Sequence, residues 1–473
     1  MARNLTEAEI REVVSQVLNQ VAAAPTASFD STQYAGKKFV GVFDDMNDAI
    51  AAAQVAYKAV RAMSVEKREQ LITEIRRLTR AEAHIMAEIG VKETGMGRVD
   101  HKTAKHMLVA DKTPGTEDIV SAAKTGDNGL TLVEMAPFGV VGAITPSTNP
   151  SETVICNSIG MIAAGNGVVF NPHPNAIATS NYAVDLVNRA SKAMGGPEIL
   201  VCSMKKPTLE SAAIMQSHPL IRLLVCTGGP GVVTAVLSSG RRGIGAGAGN
   251  PPALVDETAD IRKAAEDIIN GCTFDNNLPC IAEKEVVAVD SVVSELMHYM
   301  ISEQGCYHAS PEEVKKLEQT VLTPKGLNRD CVGRDAKTLL GKIGVTVPDN
   351  IRCIIFEGEK EDKLISEELM MPILGIVRAK DFEDAVEKAV WLEHGNRHSA
   401  HIHSKNVDHI TTYAKAIDTA ILVKNAPSYA ALGFGGEGYC TFTIASRTGE
   451  GLTSASTFTK RRRCVMSDSL CIR

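Results

Sequence analysis

A cysteine on a predicted loop is the residue of this chain best suited to covalent chemistry. Cys280 directly follows Pro279, between a predicted helix over 259–271 and a predicted strand over 285–289. A loop between two rigid elements can hold a thiol in a fixed direction inside a cleft, as a nucleophile requires. Cysteine is also among the most frequently buried residue types, so its type alone favours a place in the core. The surrounding sequence must decide between these interpretations.

An asparagine follows another predicted strand. The segment Thr145-Pro146-Ser147-Thr148-Asn149-Pro150 lies where a predicted strand over 139–145 ends and a helix over 152–164 begins. The Asn149 amide can donate a hydrogen bond to a ligand there, and it is equally suited to cap the helix. We expect Asn149, the glycine turn at 228–231 and Cys280 to converge on one cleft.

Two glycine-rich segments could contact a ligand through the backbone. Gly228-Gly229-Pro230-Gly231 separates a predicted strand from a helix, and N–H groups at a helix start bind anions such as a pyrophosphate. A tight turn alone would require the same glycines. The segment 243–248 has the letters of a dinucleotide fingerprint, but Asn250-Pro251-Pro252 stands where the helix should begin. No acidic residue lies between Glu210 and Asp256.

A cluster of histidines invites a metal interpretation. Its members are His394, His398, His401 and His403. Their spacing fits no common zinc pattern, and a strand would place only two of them on one face. The sequence therefore predicts no metal site.

Composition limits the class of protein. The chain has 473 residues, 44% hydrophobic and 22% charged, and a formal charge of -6, which is typical of a globular protein of roughly two to four domains. This charge gives no reason to expect a nucleic-acid partner, and the basic run at 460–463 is short. Eleven cysteines without a Cys-x-x-Cys pair indicate a reducing, cytoplasmic compartment. No apolar run suggests a membrane span.

The elements that would position these residues alternate. From about 139 to 256 and again after Cys280, short apolar runs alternate with helical patterns. Such alternation predicts α/β units with parallel sheets covered on both faces. The same pattern predicts a strand over 253–256 as the last of the first set.

The amino terminus has a separate pattern. Residues 1–21 are predicted to contain an amphipathic helix, followed by a linker over 22–36 that is rich in small residues and proline. The apolar stripe is Ile10, Val13, Val14, Val17, Leu18 and Val21. A tethered helix of this kind docks on a partner or folds back on its own domain; both alternatives stay open.

Several long motifs together resemble the aldehyde dehydrogenase superfamily, specifically its CoA-acylating branch in bacterial microcompartments. They are Thr145–Pro150, Val225–Gly231, Gly245–Asp260, Phe274–Lys284, Glu367–Pro372 and Val423–Arg463. The resemblance implies an aldehyde dehydrogenase-like α/β fold with two parallel-sheet domains and a small β oligomerisation flap. The implied divisions are a cofactor-binding domain over 37–122 and 138–250, a catalytic domain over 251–430, and the flap and tail over 123–137 and 431–473.

The resemblance also implies roles for the site residues. Cys280 would be the nucleophile, and the Asn149 amide with the Cys280 N–H would hold the oxyanion. Hydrolytic relatives carry a glutamate base within the segment corresponding to 245–252, which here has only glycine, alanine, asparagine and proline. The acyl group would therefore pass to the co-substrate CoA rather than to water.

NAD is the implied cofactor, favoured over NADP because no cationic side chain is evident near Asn171 to pair a 2′-phosphate. Its expected binding residues are Thr145, Pro146, Ser147, Asn171, His173, Gly228, Gly229, Gly247 and Glu368. The resemblance further implies a homodimer or tetramer. The helix over 1–21 would dock to a shell protein, placing the enzyme inside a microcompartment of the cytoplasm.

Four functions stay open at this point. The first is oxidation of a short aliphatic aldehyde to acyl-CoA, with propionaldehyde favoured by the sequence around Cys280. An acetaldehyde enzyme of the same branch is a near neighbour. A hydrolytic enzyme that releases free acid is the third. The non-enzymatic alternative is an NAD-binding scaffold recruited to a shell.

Overall fold

The computed structural model describes residues 38–324 and 326–472. The predicted amphipathic helix over 1–21 and the linker over 22–36 lie outside the described residues. Within them, no helix combines the length and apolar composition that crossing a membrane requires.

The α-helices are numbered here in chain order. They are α1 (Met46–Ala62), α2 (Val65–Thr94), α3 (Val99–Lys112), α4 (Pro150–Ala163), α5 (Ile177–Ala193), α6 (Leu209–Ser217), α7 (Pro230–Leu237), α8 (Ile261–Thr273), α9 (Asp290–Ser302), α10 (Pro311–Val321), α11 (Ala336–Lys342), α12 (Lys363–Ser366), α13 (Phe382–Glu393) and α14 (Val407–Ile417). Short 3-10 turns lie at Thr116–Asp118, Phe274–Asn277, Ser428–Leu432 and Ser456–Phe458.

The strands follow the same order. They are β1 (Val42–Phe43), β2 (Ala122–Gly126), β3 (Gly129–Pro137), β4 (Val140–Ile144), β5 (Gly167–Asn171), β6 (Val201–Met204), β7 (Ile221–Thr227), β8 (Gly243–Ala246), β9 (Pro252–Val255), β10 (Glu285–Val289), β11 (Cys306–His308), β12 (Leu322–Thr323), β13 (Gly326–Leu327), β14 (Cys353–Glu357), β15 (Ile373–Ala379), β16 (Ser399–His403), β17 (Ile421–Lys424), β18 (Ile444–Ala445), β19 (Gly451–Leu452) and β20 (Thr459–Ser467).

A six-stranded parallel sheet forms the first layered unit, in the order β1-β6-β5-β4-β7-β8. Its central strands are short, almost wholly apolar and buried, as expected for a sheet with helices on both faces. The carboxyl ends of β4, β5, β7 and β8 consequently meet at one edge. Such an edge is where open α/β sheets bind ligands.

A seven-stranded parallel sheet forms the second unit, in the order β11-β14-β15-β10-β9-β16-β17. The placement of the strand at 253–256 in the first set was wrong, because β9 pairs with β10 and β16. An extended segment rich in glycine and proline joins β8 to β9 where a crossover helix would be needed to stay in the first sheet. The chain therefore passes to the second sheet there.

A small antiparallel sheet stands apart from both units. It has the order β2-β3-β20, and β20 pairs with β3 along its whole length. The side chains of β2 and β20 are mostly exposed. Apart from Ala122, its strands fall within the two stretches, 123–137 and 431–473, that the resemblance assigns to the flap and tail.

Candidate active site

The loop that carries Cys280 begins with strained backbone. Asp275, Asn276 and Asn277 have successive φ angles of 49°, 54° and 66°, a left-handed conformation that aspartate and asparagine tolerate better than most residues. Each still costs about 1 kcal/mol. These residues end the capped helix α8 and turn the chain back toward β10. Contacts with neighbouring groups must therefore hold the loop.

Side-chain hydrogen bonds within the loop supply part of that support. Asn277 Nδ2 donates to the carbonyl oxygens of Cys272 and Glu283, both at 2.9 Å. The buried Lys284 ammonium donates to Asn277 Oδ1 at 2.6 Å and to the Asn277 carbonyl oxygen at 2.9 Å. Cys280 is thus held between two cross-linked ends of the loop.

Cys280 differs from every other cysteine of the chain in its exposure. Eight of the eleven are buried and two are exposed on the carboxyl-terminal tail, whereas Cys280 is half-buried. Burial and, to a smaller extent, the Glu368 charge raise the pKa of its thiol to about 12, against the opposing effect of the Lys284 charge. The thiol is therefore protonated at neutral pH in the ligand-free protein, and it needs activation before it can act as a nucleophile.

This raised pKa predicts how Cys280 reacts with iodoacetamide. Because the thiolate is the reactive form, the alkylation rate should rise about tenfold per pH unit from about pH 7 to about pH 10. Glu368→Gln removes a negative charge that disfavours the thiolate, so this variant should react faster at each pH. Mass spectrometry of the Cys280 peptide gives the rate. A plateau below about pH 9 would contradict the predicted pKa.

Asn149 lies beyond the carboxyl end of β4 and directly before the first turn of α4, and it is 5% exposed. The side chain makes no capping hydrogen bond to the helix. Instead, Asn149 Oδ1 accepts a hydrogen bond from Lys105 Nζ at 2.6 Å, while Nδ2 lies 3.2 Å from Thr148 Oγ1. The amide is therefore available for a role other than capping.

The acid-free segment passes directly against the thiol loop. A Cβ atom added to Gly249 would lie 2.8 Å from His398 Cγ and 3.1 Å from the Cys280 carbonyl oxygen. Those distances are too short for any side chain without displacement of its neighbours. Position 249 consequently admits only glycine, and the segment 245–252 contributes no carboxylate to this wall of the site.

The carboxyl group of Glu368, which lies in another part of the sequence, raises the pKa of the Cys280 thiol. It follows α12, and its carboxylate accepts a hydrogen bond from the Gly249 N–H. Burial raises the pKa of Glu368, and the Lys284 charge partly offsets the increase. The Gly249 N–H and Lys284 therefore hold Glu368 beside the segment that carries Gly247, one of the predicted cofactor contacts.

His398 belongs to the site although the sequence suggested it only as a metal ligand. Its ring is buried and lies against Gly249; Nδ1 is 2.7 Å from Ser399 Oγ, and Nε2 has no hydrogen-bond partner among the described residues. Burial and the Lys284 charge lower the pKa of His398 to about 4. The imidazole is therefore neutral and can accept a proton from an incoming thiol.

Among the described residues, no group of side chains that could bind a metal ion lies around these histidines. Within 38–324 and 326–472, the side chains spaced closely enough to share a metal ion are Asp256, Glu257 and His409. Ser404 Oγ and His409 Nδ1 already contact Asp256 Oδ2, at 2.5 and 2.8 Å.

The other predicted cofactor residues lie along the carboxyl edge of the first sheet. Thr145, Pro146 and Ser147 follow β4, Asn171 and His173 follow β5, Gly228 and Gly229 follow β7, and Gly247 follows β8.

This edge of the first sheet fits a dinucleotide in two respects. A Cβ at Gly228 or Gly229 would meet nothing within 4 Å, so the start of α7 is open to a ligand. The buried Thr145 Oγ1 has no partner among the described residues.

The reasoning that favoured NAD over NADP needs a correction. We expected no cation near the end of β5, but the Arg329 charge acts on His173; together with burial it lowers the pKa of that imidazole. Arg329 is far from β5 in sequence and reaches this edge from the second unit. An arginine charge is therefore close enough to His173 to affect its titration.

A buried cluster of charges joins the thiol loop to Asn149, and the sequence analysis missed it. Lys105 Nζ lies 2.5 Å from Asp275 and 2.9 Å from Glu152, and Lys102 Nζ lies 3.0 Å from Asp275. The lysines hold the pKa of Glu152 down to about 2 against the effect of burial. Two lysines three residues apart were the available signal, but the helix that carries them, α3, was not predicted.

Comparison with known proteins agrees with this geometry. Residues 39–454 match the profile described as "Aldehyde dehydrogenase family". The chain is 45% identical to the acetaldehyde dehydrogenase (acetylating) EutE of Escherichia coli (strain K12), over 98% of this chain and 99% of that protein.

Two solved structures are also similar. A propionaldehyde dehydrogenase from the Clostridium phytofermentans fucose utilisation bacterial microcompartment has a TM-score of 0.91 and 75% identity, over 92% of this chain and 100% of that one. A Rhodopseudomonas palustris propionaldehyde dehydrogenase with bound CoA and an acylated cysteine has a TM-score of 0.90 and 50% identity, over 92% and 99%. The chain therefore belongs to the aldehyde dehydrogenase family.

Proposed function

We propose that this protein is an NAD-dependent, CoA-acylating aldehyde dehydrogenase that converts a short aliphatic aldehyde to its acyl-CoA through a thioester on Cys280. The observation that carries the proposal is the approach of Gly249 to both the Cys280 carbonyl oxygen and His398. No side chain fits at position 249 of this wall, the segment 245–252 holds no glutamate to activate water, and a neutral imidazole stands beside it.

The first half of the reaction forms the thioester. Cys280 releases its thiol proton to solvent and its sulfur forms a bond to the aldehyde carbonyl carbon, while the π electrons of the carbonyl move to the oxygen, which becomes an oxyanion. Asn149 Nδ2 and the Cys280 N–H donate to that oxygen, and each such donor is typically worth roughly 3–4 kcal/mol. NAD, held along the β4, β5 and β7 ends and by Glu368, supplies the hydride acceptor when bound. The carbon is thereby oxidised to the thioester level.

The second half transfers the acyl group. His398 takes the proton of the CoA thiol, whose sulfur attacks the thioester carbon. Asn149 stabilises the oxyanion again. The bond to Cys280 sulfur then breaks, and the leaving thiolate takes the proton back from His398, which gives acyl-CoA, the free Cys280 thiol and a neutral imidazole. One thioester replaces another, so little free energy is lost and the reaction is reversible.

Dependence on CoA tests this function against the hydrolytic alternative. With aldehyde and NAD in excess, we expect one rapid burst of NADH per active site without CoA, followed by turnover at least about 100-fold slower than with CoA. The reason is that segment 245–252 holds no glutamate to activate water, and the thiol of CoA is a far better nucleophile toward the thioester than water is. Stopped-flow absorbance of NADH measures both phases. Sustained CoA-independent turnover with release of free acid would contradict the proposal.

Propionaldehyde is the first candidate substrate and acetaldehyde the second. The sequence Asn277-Leu278-Pro279-Cys280-Ile281 supports propionaldehyde, and similarity to propionaldehyde dehydrogenases supports it further. The ratio of kcat/KM across two- to four-carbon aldehydes, with CoA saturating, decides between them. A higher value for acetaldehyde would assign the enzyme to the second class.

Shell docking and assembly complete the proposal. We propose that residues 1–21 dock the enzyme to a microcompartment shell protein and that the β2-β3-β20 sheet joins protomers into a homodimer or tetramer. Deleting residues 1–21 should leave kcat/KM within about twofold, because the site lies wholly within 38–472, and should abolish co-purification with shells. Retained co-purification would contradict the docking role; light scattering of both forms measures the assembly.

A further inference from the structure

We propose that Lys105 is a positioning residue for the group that binds the oxyanion. Its ammonium group holds the Asn149 amide so that Nδ2 points toward the aldehyde oxygen. Through Asp275, it also connects Asn149 to the thiol loop. This inference rests on the proposed function, since it assigns a group that acts on the same reaction. Lys105 does not contact the substrate; it acts through Asn149.

The contacts of Lys105 match the bonding capacity of an ammonium group. An ammonium has three N–H donors; Lys105 Nζ donates a hydrogen bond to Asn149 Oδ1 at 2.6 Å and forms ion pairs with Asp275 Oδ2 at 2.5 Å and Glu152 Oε1 at 2.9 Å. The side chain is fully buried. The two carboxylates raise the pKa of Lys105 against the effect of burial, so the group is charged.

A charged lysine determines the orientation of the asparagine amide. Lysine can only donate hydrogen bonds, so the Asn149 atom that faces Lys105 must be the carbonyl oxygen. Nδ2 then faces away, with one N–H toward Thr148 Oγ1 at 3.2 Å and the other available to the substrate. The reverse orientation would place Oδ1 against the developing oxyanion and repel it. The positive charge also polarises the amide and strengthens Nδ2 as a donor.

The same cluster connects Asn149 to the loop that carries the nucleophile. Asp275 lies five positions before Cys280 in the left-handed stretch, and Lys102 Nζ links it to the Thr148 carbonyl oxygen, with both contacts at 3.0 Å. Two lysines from successive turns of α3 thus bridge the edge of the first sheet and the thiol loop. The distance between oxyanion donor and sulfur is therefore set by α3.

A purely structural ion network would show the same contacts, so the test must isolate the path through Asn149. Lys105→Met alone would leave a buried carboxylate without its partner. We therefore combine it with Glu152→Gln, which removes one charge of each sign, and use Glu152→Gln alone as the reference. Both proteins are then compared with and without Asn149→Ala.

We expect Lys105→Met to lower kcat about 100-fold relative to the reference when Asn149 is present, the size seen on loss of an oxyanion donor. In the Asn149→Ala background the same change should lower kcat less than about threefold. The KM for aldehyde and the dissociation constant of NAD should stay within about twofold. Equal factors in the two backgrounds would overturn the proposal.

Lys105→Gln provides a second variant that keeps an N–H donor without the charge. It should lose activity in the same Asn149-dependent way, to a smaller extent. If circular dichroism shows that neither variant folds, Lys105 is purely structural and the proposal is overturned. An unmodified protein that folds but lacks CoA-dependent NADH formation would instead refute the proposed function, so the two failures are distinguishable.

Discussion

Replacing Cys280 with alanine is expected to lower CoA-dependent NADH formation by at least about 10⁴-fold. The covalent intermediate forms on this sulfur, and removal of a catalytic nucleophile typically has an effect of this size or larger. No other cysteine can substitute, because the remaining ten are buried or lie on the exposed tail. Initial rates at saturating propionaldehyde, NAD and CoA measure the loss.

The matched control for this variant is Cys471→Ala, which removes an exposed thiol outside the site. It should retain the activity of the unmodified protein. Calorimetry should show that Cys280→Ala still binds NAD with a dissociation constant within about twofold, since the predicted cofactor contacts lie on other elements. Activity above about 1% in Cys280→Ala would refute the assignment of the nucleophile.

Asn149→Ala is expected to lower kcat/KM for the aldehyde by about 10²- to 10³-fold. The amide donates to an oxygen whose charge develops only in the transition state, so its loss should reduce kcat far more than substrate binding. The Cys280 N–H would remain as the other donor, and some activity should persist. Steady-state kinetics with CoA saturating give both parameters.

Alkylation separates this role from damage to the nucleophile. Iodoacetamide displaces iodide at a saturated carbon and forms no oxyanion, so Asn149→Ala should alkylate Cys280 at the original rate. A parallel fall in alkylation and turnover would mean that Asn149 supports the thiol instead. A larger KM with unchanged kcat would mean that it only binds the substrate.

The fold was largely predictable because its signals are local. Apolar runs alternating with helical periods indicated two parallel α/β units, and the structure has both sheets. The strand β9 was assigned to the wrong set because its composition does not encode which sheet it joins. The helix α3 was missed because buried lysines at 102 and 105 and a buried histidine at 106 interrupt its apolar face.

The site was predictable to the extent that its chemistry follows from residue type and position. Cys280 on a loop after proline, Asn149 at a strand end and the acid-free glycine segment could each be singled out, and the motifs around them supported the assignment. The role proposed for His398 could not, because a histidine just before a strand has the same local signal whether or not its ring lies at a site.

The sequence by itself therefore determined the fold class, the family and the candidate nucleophile, which are encoded by residues close together in the chain. The tertiary structure decided the electrostatics of the site. Lys105 is 44 positions from Asn149 and Lys102 is 173 from Asp275, and burial sets the pKa values of Cys280 and His398. Charge interactions depend on distance in space and on exclusion of water, and both exist only after the two units have come together.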